Sequence, residues 1–150
     1  MKLTVTDHLQ SEIYTPITPP MVWTPLTKDL RECKVGLTSA CGVHRKDDKA
    51  FGYTGDSSWR LIPKDIEPEK LMVTHGGYDN SDVNKDINCM FPYQRIKELA
   101  EEGFIREVTE TNVGFMGGGG IQTEFIEKTG PAIARIFKEQ GADIVLLTAG

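Results

Sequence analysis

Two histidines stand where a reactive imidazole would be useful. His75 closes the apolar run 71–74 and is followed by Gly76-Gly77, and His44 comes a few residues after the run 34–40. A free imidazole titrates near neutral pH, so either is a candidate general acid or base. A hydrogen-bonded structural histidine is the competing reading for each. His75 is the first choice for orienting a substrate or shuttling a proton, with Asn80 and Asp82 in the polar loop behind it as supports. Asx turns and helix caps account for most of that loop equally well. A third feature is the run Gly117, Gly118, Gly119 and Gly120, which precedes a predicted helix. Its amides, together with a helix N-terminus, could hold a carboxylate or phosphate. A flexible or tightly turning loop is the plainer account.

Other chemistries fit less well. No Lys-Ser/Thr follows the glycines as a P-loop needs, and Met116 and Gln122 spoil both registers of G-x-G-x-x-G. A calcium loop started at Asp82 places Asp, Asn and Asp suitably at Asp82, Asn84 and Asp86. It then meets Ile87 where glycine is required and Tyr93 where a bidentate glutamate is required. Cys41 and His44 make half a zinc set, without a recognised spacing for the rest. Cys41 reads as a small packing residue more readily than as a nucleophile.

These residues need a frame to position them. The run KVGLTSA (34–40) predicts a buried strand, LMVTH (71–75) a second, FIREVTE (104–110) a third and DIVLLTAG (143–150) a fourth. Residues 45–68 read as irregular, and NVGFMGGGG as a loop. Pro92 suits the first turn of a helix that carries Ile96, Leu99 and Ala100 on one face and ends at Gly103. A second helical region covers about 122–140, interrupted at Thr129-Gly130-Pro131, with Ile133, Ile136 and Phe137 on its buried face. Strands alternating with helices predict an α/β fold with a mostly parallel, buried sheet flanked by helices. Ligands bind at the carboxyl edge of such sheets. The loops after the four strands would bring His44, His75 with Asn80, the glycine run and Gly150 around one crevice there. The sheet would be incomplete at its C-terminal side, because the last buried strand leads into no further element.

Residues 11–26 hold Pro16, Pro19, Pro20 and Pro25 among Ile13, Ile17, Val22 and Trp23. Proline forbids a regular helix there, and the apolar content argues against a solvated tail. An extended arm over residues 1–32 is expected to precede an α/β domain portion over 33–150, with residues 9–26 lying on their own domain or packed against another subunit.

Composition narrows the classes. The 150 residues suffice for one core, and 22 acidic against 17 basic residues give a net charge of −5. A nucleic-acid or anionic-membrane surface is therefore not expected. The longest strongly apolar stretch runs from Ile144 to Leu147, far short of a membrane span, and the first ten residues lack a signal-peptide core. Three cysteines are too few and odd in number for a secreted disulfide framework. A cytoplasmic location is expected, and no metal.

Several strings taken together carry a resemblance: LQSEI (9–13), PITPP (16–20), VWTP (22–25), GVH (42–44), HGGYDN (75–80), DVNKDINCMFP (82–92), GFMGGGG (114–120), TGPAIA (129–134) and VLLTAG (145–150). They resemble the selenoprotein family of the glycine, sarcosine and betaine reductases, and within it the selenocysteine-containing subunits of D-proline reductases. The resemblance implies a selenocysteine immediately after Gly150, and hence a chain that ends just before its nucleophile. It implies a hetero-oligomer with a pyruvoyl-containing subunit, and a dithiol or electron-donor protein that resets the site. No cofactor is expected on these 150 residues themselves. The implied reaction is reductive cleavage of the C–N bond of D-proline to 5-aminovalerate. The glycine amides would then be candidates for the substrate carboxylate, with His44 lining the same site. Two alternatives stand beside this: a component of a glycine, sarcosine or betaine reductase, and a non-enzymatic anion-binding or assembly module.

Overall fold

A computed structural model of the chain describes residues 24–54, 56–118 and 122–149. The part of the predicted arm before residue 24 lies outside them, as do Gly119, Gly120 and Gly150. The described strands are β1 (Lys34–Ser39), β2 (Val43–Arg45), β3 (Trp59–Pro63), β4 (Leu71–Val73), β5 (Glu107–Val108), β6 (Thr111–Phe115) and β7 (Ile144–Thr148). The helices are α1 (Tyr93–Glu101), α2 (Gln122–Glu124) and α3 (Gly130–Glu139), with a π-helical segment, Phe125–Thr129, joining α2 to α3. Short 3-10 turns cover Leu30–Glu32, Pro68–Lys70 and Ile87–Cys89.

The architecture is the predicted one: mixed α/β, with a mostly parallel sheet flanked by helices. β1 is its centre. β7 runs parallel along the whole of one side, from Val35 opposite Ile144 to Ser39 opposite Thr148. On the other side β5 pairs with the start of β1 and β6 with its end, both parallel. β3 adds to β6 as an antiparallel edge strand. Apart from the sheet, β2 and β4 form an antiparallel ribbon with Val43 opposite Val73.

Each face of the sheet has its own apolar cluster. Val35 and Leu37 pack with Tyr93 and Ile96 of α1 and with Val43, Leu71 and Val73 of the ribbon. The opposite face is reached at Gly36, where the Phe137 ring of α3 lies 2.4 Å from the place a Cβ would occupy. Phe137, Ile133 and Val113 form that second cluster. Pro92 occupies the N-cap position of α1, and Gly103 (φ +75°) lets the chain leave the helix.

Several elements differ from the sequence expectation. Residues 45–68 are not wholly irregular, because they contain β3, whose Ile62 is fully buried. Pro63 ends that strand at the sheet edge, where a missing amide proton costs least. The 71–75 strand does not join the parallel sheet but pairs antiparallel with β2. Its outer edge is closed by the Asn84 side chain, which accepts from the Val73 amide at 2.8 Å and donates to the Val73 carbonyl at 3.2 Å.

The strand expected at 104–110 is only β5, and much of the expected loop after it is β6. The chain steps sideways at Thr109 and Glu110, and the buried Asn112 spans the step by accepting the Leu37 amide at 3.0 Å. Gly114, which suggests a loop, belongs to β6 because the Val43 carbonyl oxygen sits 2.0 Å from any Cβ it could carry. The helical region is not broken at Gly130-Pro131, since the π-helical turn absorbs the proline and α3 continues from it. β7 was expected to be buried, yet Val145, Leu146 and Leu147 are exposed. Nothing among the described residues lies beyond it in the sheet.

Candidate functional site

The carboxyl ends of β1, β6 and β7 are tied together by backbone. The Ala40 amide donates to the Thr148 carbonyl at 3.0 Å, Gly42 to Phe115 at 2.8 Å and Gly117 to Ala40 at 2.9 Å. Cys41 bridges to Met116. The Met90 carbonyl accepts from both Ser39 Oγ (3.1 Å) and Thr148 Oγ1 (2.6 Å), which fastens the polar loop to the same edge. Gly42, at φ +79°, turns the chain from β1 into the ribbon, where the Thr74 carbonyl leaves no room for a side chain.

His75 arrives from the ribbon. Its ring stacks on Tyr78 at 4.5 Å between centroids, with planes 27° apart. Its Nδ1 accepts the Gly77 amide at 2.9 Å. The neutral tautomer selected by that bond carries its proton on Nε2. The ring edge bearing Cε1 and Nε2 lies against Gly118, 3.2 and 3.4 Å from a would-be Cβ. Burial holds the His75 pKa below 6.5, so the ring is neutral at pH 7. The site therefore presents a neutral N–H donor next to a residue without a side chain.

Neighbouring groups brace this arrangement. Asn80 Nδ2 donates to the His75 carbonyl at 3.0 Å, and its buried Oδ1 has no partner among the described residues. Tyr78 Oη donates to the Cys41 carbonyl at 2.9 Å, and burial pushes its pKa up to about 12. Cys41 is itself fully buried, and burial raises its thiol pKa, which disfavours the thiolate a nucleophile needs. Tyr78 was missed as a site residue; its sequence signal was its place in the string HGGYDN.

Of the expected residues, the structure brings together His75, Asn80, Gly117 and Gly118. It does not bring in His44 or Asp82. His44 is buried, with Nδ1 on the Arg45 carbonyl at 2.7 Å and Nε2 on Thr74 Oγ1 at 2.9 Å, so both ring nitrogens are used. Asp82 is exposed and pairs with Lys85. The Gly117 amide is engaged by the Ala40 carbonyl and so is not open to a ligand. Among the described residues no group of His, Cys, Asp or Glu is placed to hold a metal ion. No helix among the described residues is long and apolar enough to cross a membrane.

The chain matches the family glycine/sarcosine/betaine reductase selenoprotein B over residues 5–150. It is 61% identical over 148 residues to the D-proline reductase subunit gamma of Acetoanaerobium sticklandii, a match that covers 99% of this chain and 61% of that protein. It is 28% identical over 131 residues to the glycine reductase complex component B subunit gamma of Carboxydothermus hydrogenoformans, covering 83% of this chain and 30% of the relative. The sarcosine reductase complex component B subunit beta of Peptoclostridium acidaminophilum is 25% identical over 148 residues, covering 95% of this chain and 34% of the relative. The chain thus spans 61% of the length of the first of these relatives and about a third of the others. No solved structure matches it.

Proposed function

Because the chain belongs to the glycine/sarcosine/betaine reductase selenoprotein B family, we propose that it forms an α/β portion of a reductase subunit that cleaves the C–N bond of D-proline to give 5-aminovalerate. The 61% identity to a D-proline reductase subunit carries the choice of substrate. The weaker likeness to glycine and sarcosine reductase components supports the shared chemistry rather than their substrates.

The selenocysteine expected next to Gly150 would supply a selenolate nucleophile, and a pyruvoyl group on a partner subunit an electrophilic carbonyl. The residues described here fit that placement. The Ala40–Thr148 hydrogen bond sets the end of β7 beside the turn that carries Cys41. His75 offers its Nε2 proton to a substrate carboxylate or to the nitrogen that leaves carbon. Tyr78 and Gly77 fix the plane and tautomer of the ring, and the bare Gly118 leaves room beside it. Cys41 stays a protonated structural thiol, so these residues bind and protonate but bring no nucleophile of their own. Ring opening consumes an electron pair with its accompanying protons, delivered by a dithiol or an electron-donor protein in the cytoplasm.

The test is a substrate panel. The whole subunit, assembled with its pyruvoyl partner and supplied with dithiol, is assayed on D-proline, glycine, sarcosine and betaine, with the 150-residue chain in parallel. The expected result is 5-aminovalerate from D-proline by the assembly and no product from the 150-residue chain. Turnover of glycine, sarcosine or betaine in its place would overturn the substrate assignment. Product from the short chain would overturn the placement of the nucleophile outside it.

A further inference from the structure

β7 has the composition of an interior strand and the surroundings of an edge. Its sequence, IVLLT, is continuously apolar, as in parallel strands covered on both faces. Yet Val145 is 43% exposed, Leu146 41% and Leu147 63%. The register with β1 sorts these side chains onto two faces. Leu146, opposite Leu37, lies on the α1 face, while Val145 and Leu147, opposite Gly36 and Thr38, lie on the α3 face. Neither helix reaches out over β7.

Among the described residues the outer backbone edge has no partner strand either. The Ala40 amide bonds the Thr148 carbonyl, so in this parallel pairing Ile144, Leu146 and Thr148 turn their main-chain groups toward β1. Val145 and Leu147 turn theirs outward. The strand carries none of the devices that protect a genuine edge: no lysine, no proline, no bulge and no inward charge. β3, at the opposite edge, does end in Pro63 and carries Arg60.

We propose that the outward edge of β7 takes a further β-strand, with apolar cover on both faces, from the part of the whole subunit that corresponds to the 39% of the D-proline reductase relative outside its match with this chain. Strand addition satisfies the Val145 and Leu147 main-chain groups and extends the existing sheet. The additional length of the relative favours this occupant over a second copy of the chain, since it supplies sequence for more strands and helices.

Hydrogen exchange measured residue by residue tests it, comparing the 150-residue chain at low concentration with the whole-length D-proline reductase subunit gamma of Acetoanaerobium sticklandii. In the short chain the Val145 and Leu147 amides should exchange at least about tenfold faster than those of Leu146 and Thr148. At the aligned positions of the whole-length protein all four should be equally protected. Leu147→Lys, at an exposed site, should leave the short chain's exchange in α1 unchanged, and a lysine placed at the aligned position of the whole-length protein should restore fast exchange along β7 there. Slow exchange of Val145 and Leu147 in the dilute short chain would overturn the proposal by showing that residues of this chain already cover the edge. Protection that appears only as its concentration rises would assign the edge to a second copy. Fast exchange in the whole-length protein would show that the edge stays in water.

Discussion

The candidate site is built around one imidazole whose state is set by its neighbours. Gly77 donates to Nδ1, Tyr78 stacks on the ring, and burial disfavours the imidazolium. An imidazole with a folded pKa below its unfolded value binds its proton more readily in the unfolded chain. Its contribution to stability is therefore complete above about pH 6.5 and falls as the pH drops through 6.5 toward the lower folded value. His75→Gln keeps a hydrogen-bonding side chain but cannot titrate. Urea unfolding between pH 5 and pH 7.5 should show a shallower loss of stability in the variant than in the parent chain. Identical slopes would mean that burial does not shift His75. Asn80 belongs to this scale too, because its amide is divided between the His75 carbonyl and a buried oxygen with no described partner.

At the scale of elements, close approach between strands and helices decides what the site can rest on. The Phe137 ring occupies the space over Gly36, so Gly36→Ala forces the α3 ring away from β1. The expected cost is about 1–3 kcal/mol, typical of overpacking a filled core. It would be read as a lower urea midpoint at unchanged m-value, and an unchanged midpoint would show that α3 sits looser than its contacts imply. A continuous run of apolar and small residues made β1 legible, since both its faces are buried, and helical periodicity made α1 and α3 legible, since each buries one face. It could not reveal β6, where Asn112 and Gly114 have the propensities of a loop. Their places in a strand come from long-range contacts, one amide accepting from Leu37 and one close approach to Val43. The antiparallel pairing of β4 was hidden for a similar reason, since its outer edge is closed by Asn84 from the next loop rather than by another strand. His75 and Gly118 could be picked out by residue type. Tyr78 could not, and neither could the removal of His44, which depends on partners at Arg45 and Thr74 that only the fold supplies.

At the scale of the whole molecule, two clusters on opposite faces hold a sheet whose carboxyl edge carries the candidate site and whose β7 flank is open among the described residues. The most direct test of the proposed role of His75 on D-proline is turnover by the assembled reductase carrying His75→Ala. Hydrogen exchange at β1 and α1 would first establish that the variant is folded. Loss of a positioned proton donor typically costs a factor of about 10²–10⁴ in rate. The account therefore predicts that 5-aminovalerate formation from D-proline falls by at least about a hundredfold in the folded variant, whereas a turnover number equal to that of the parent enzyme would contradict it.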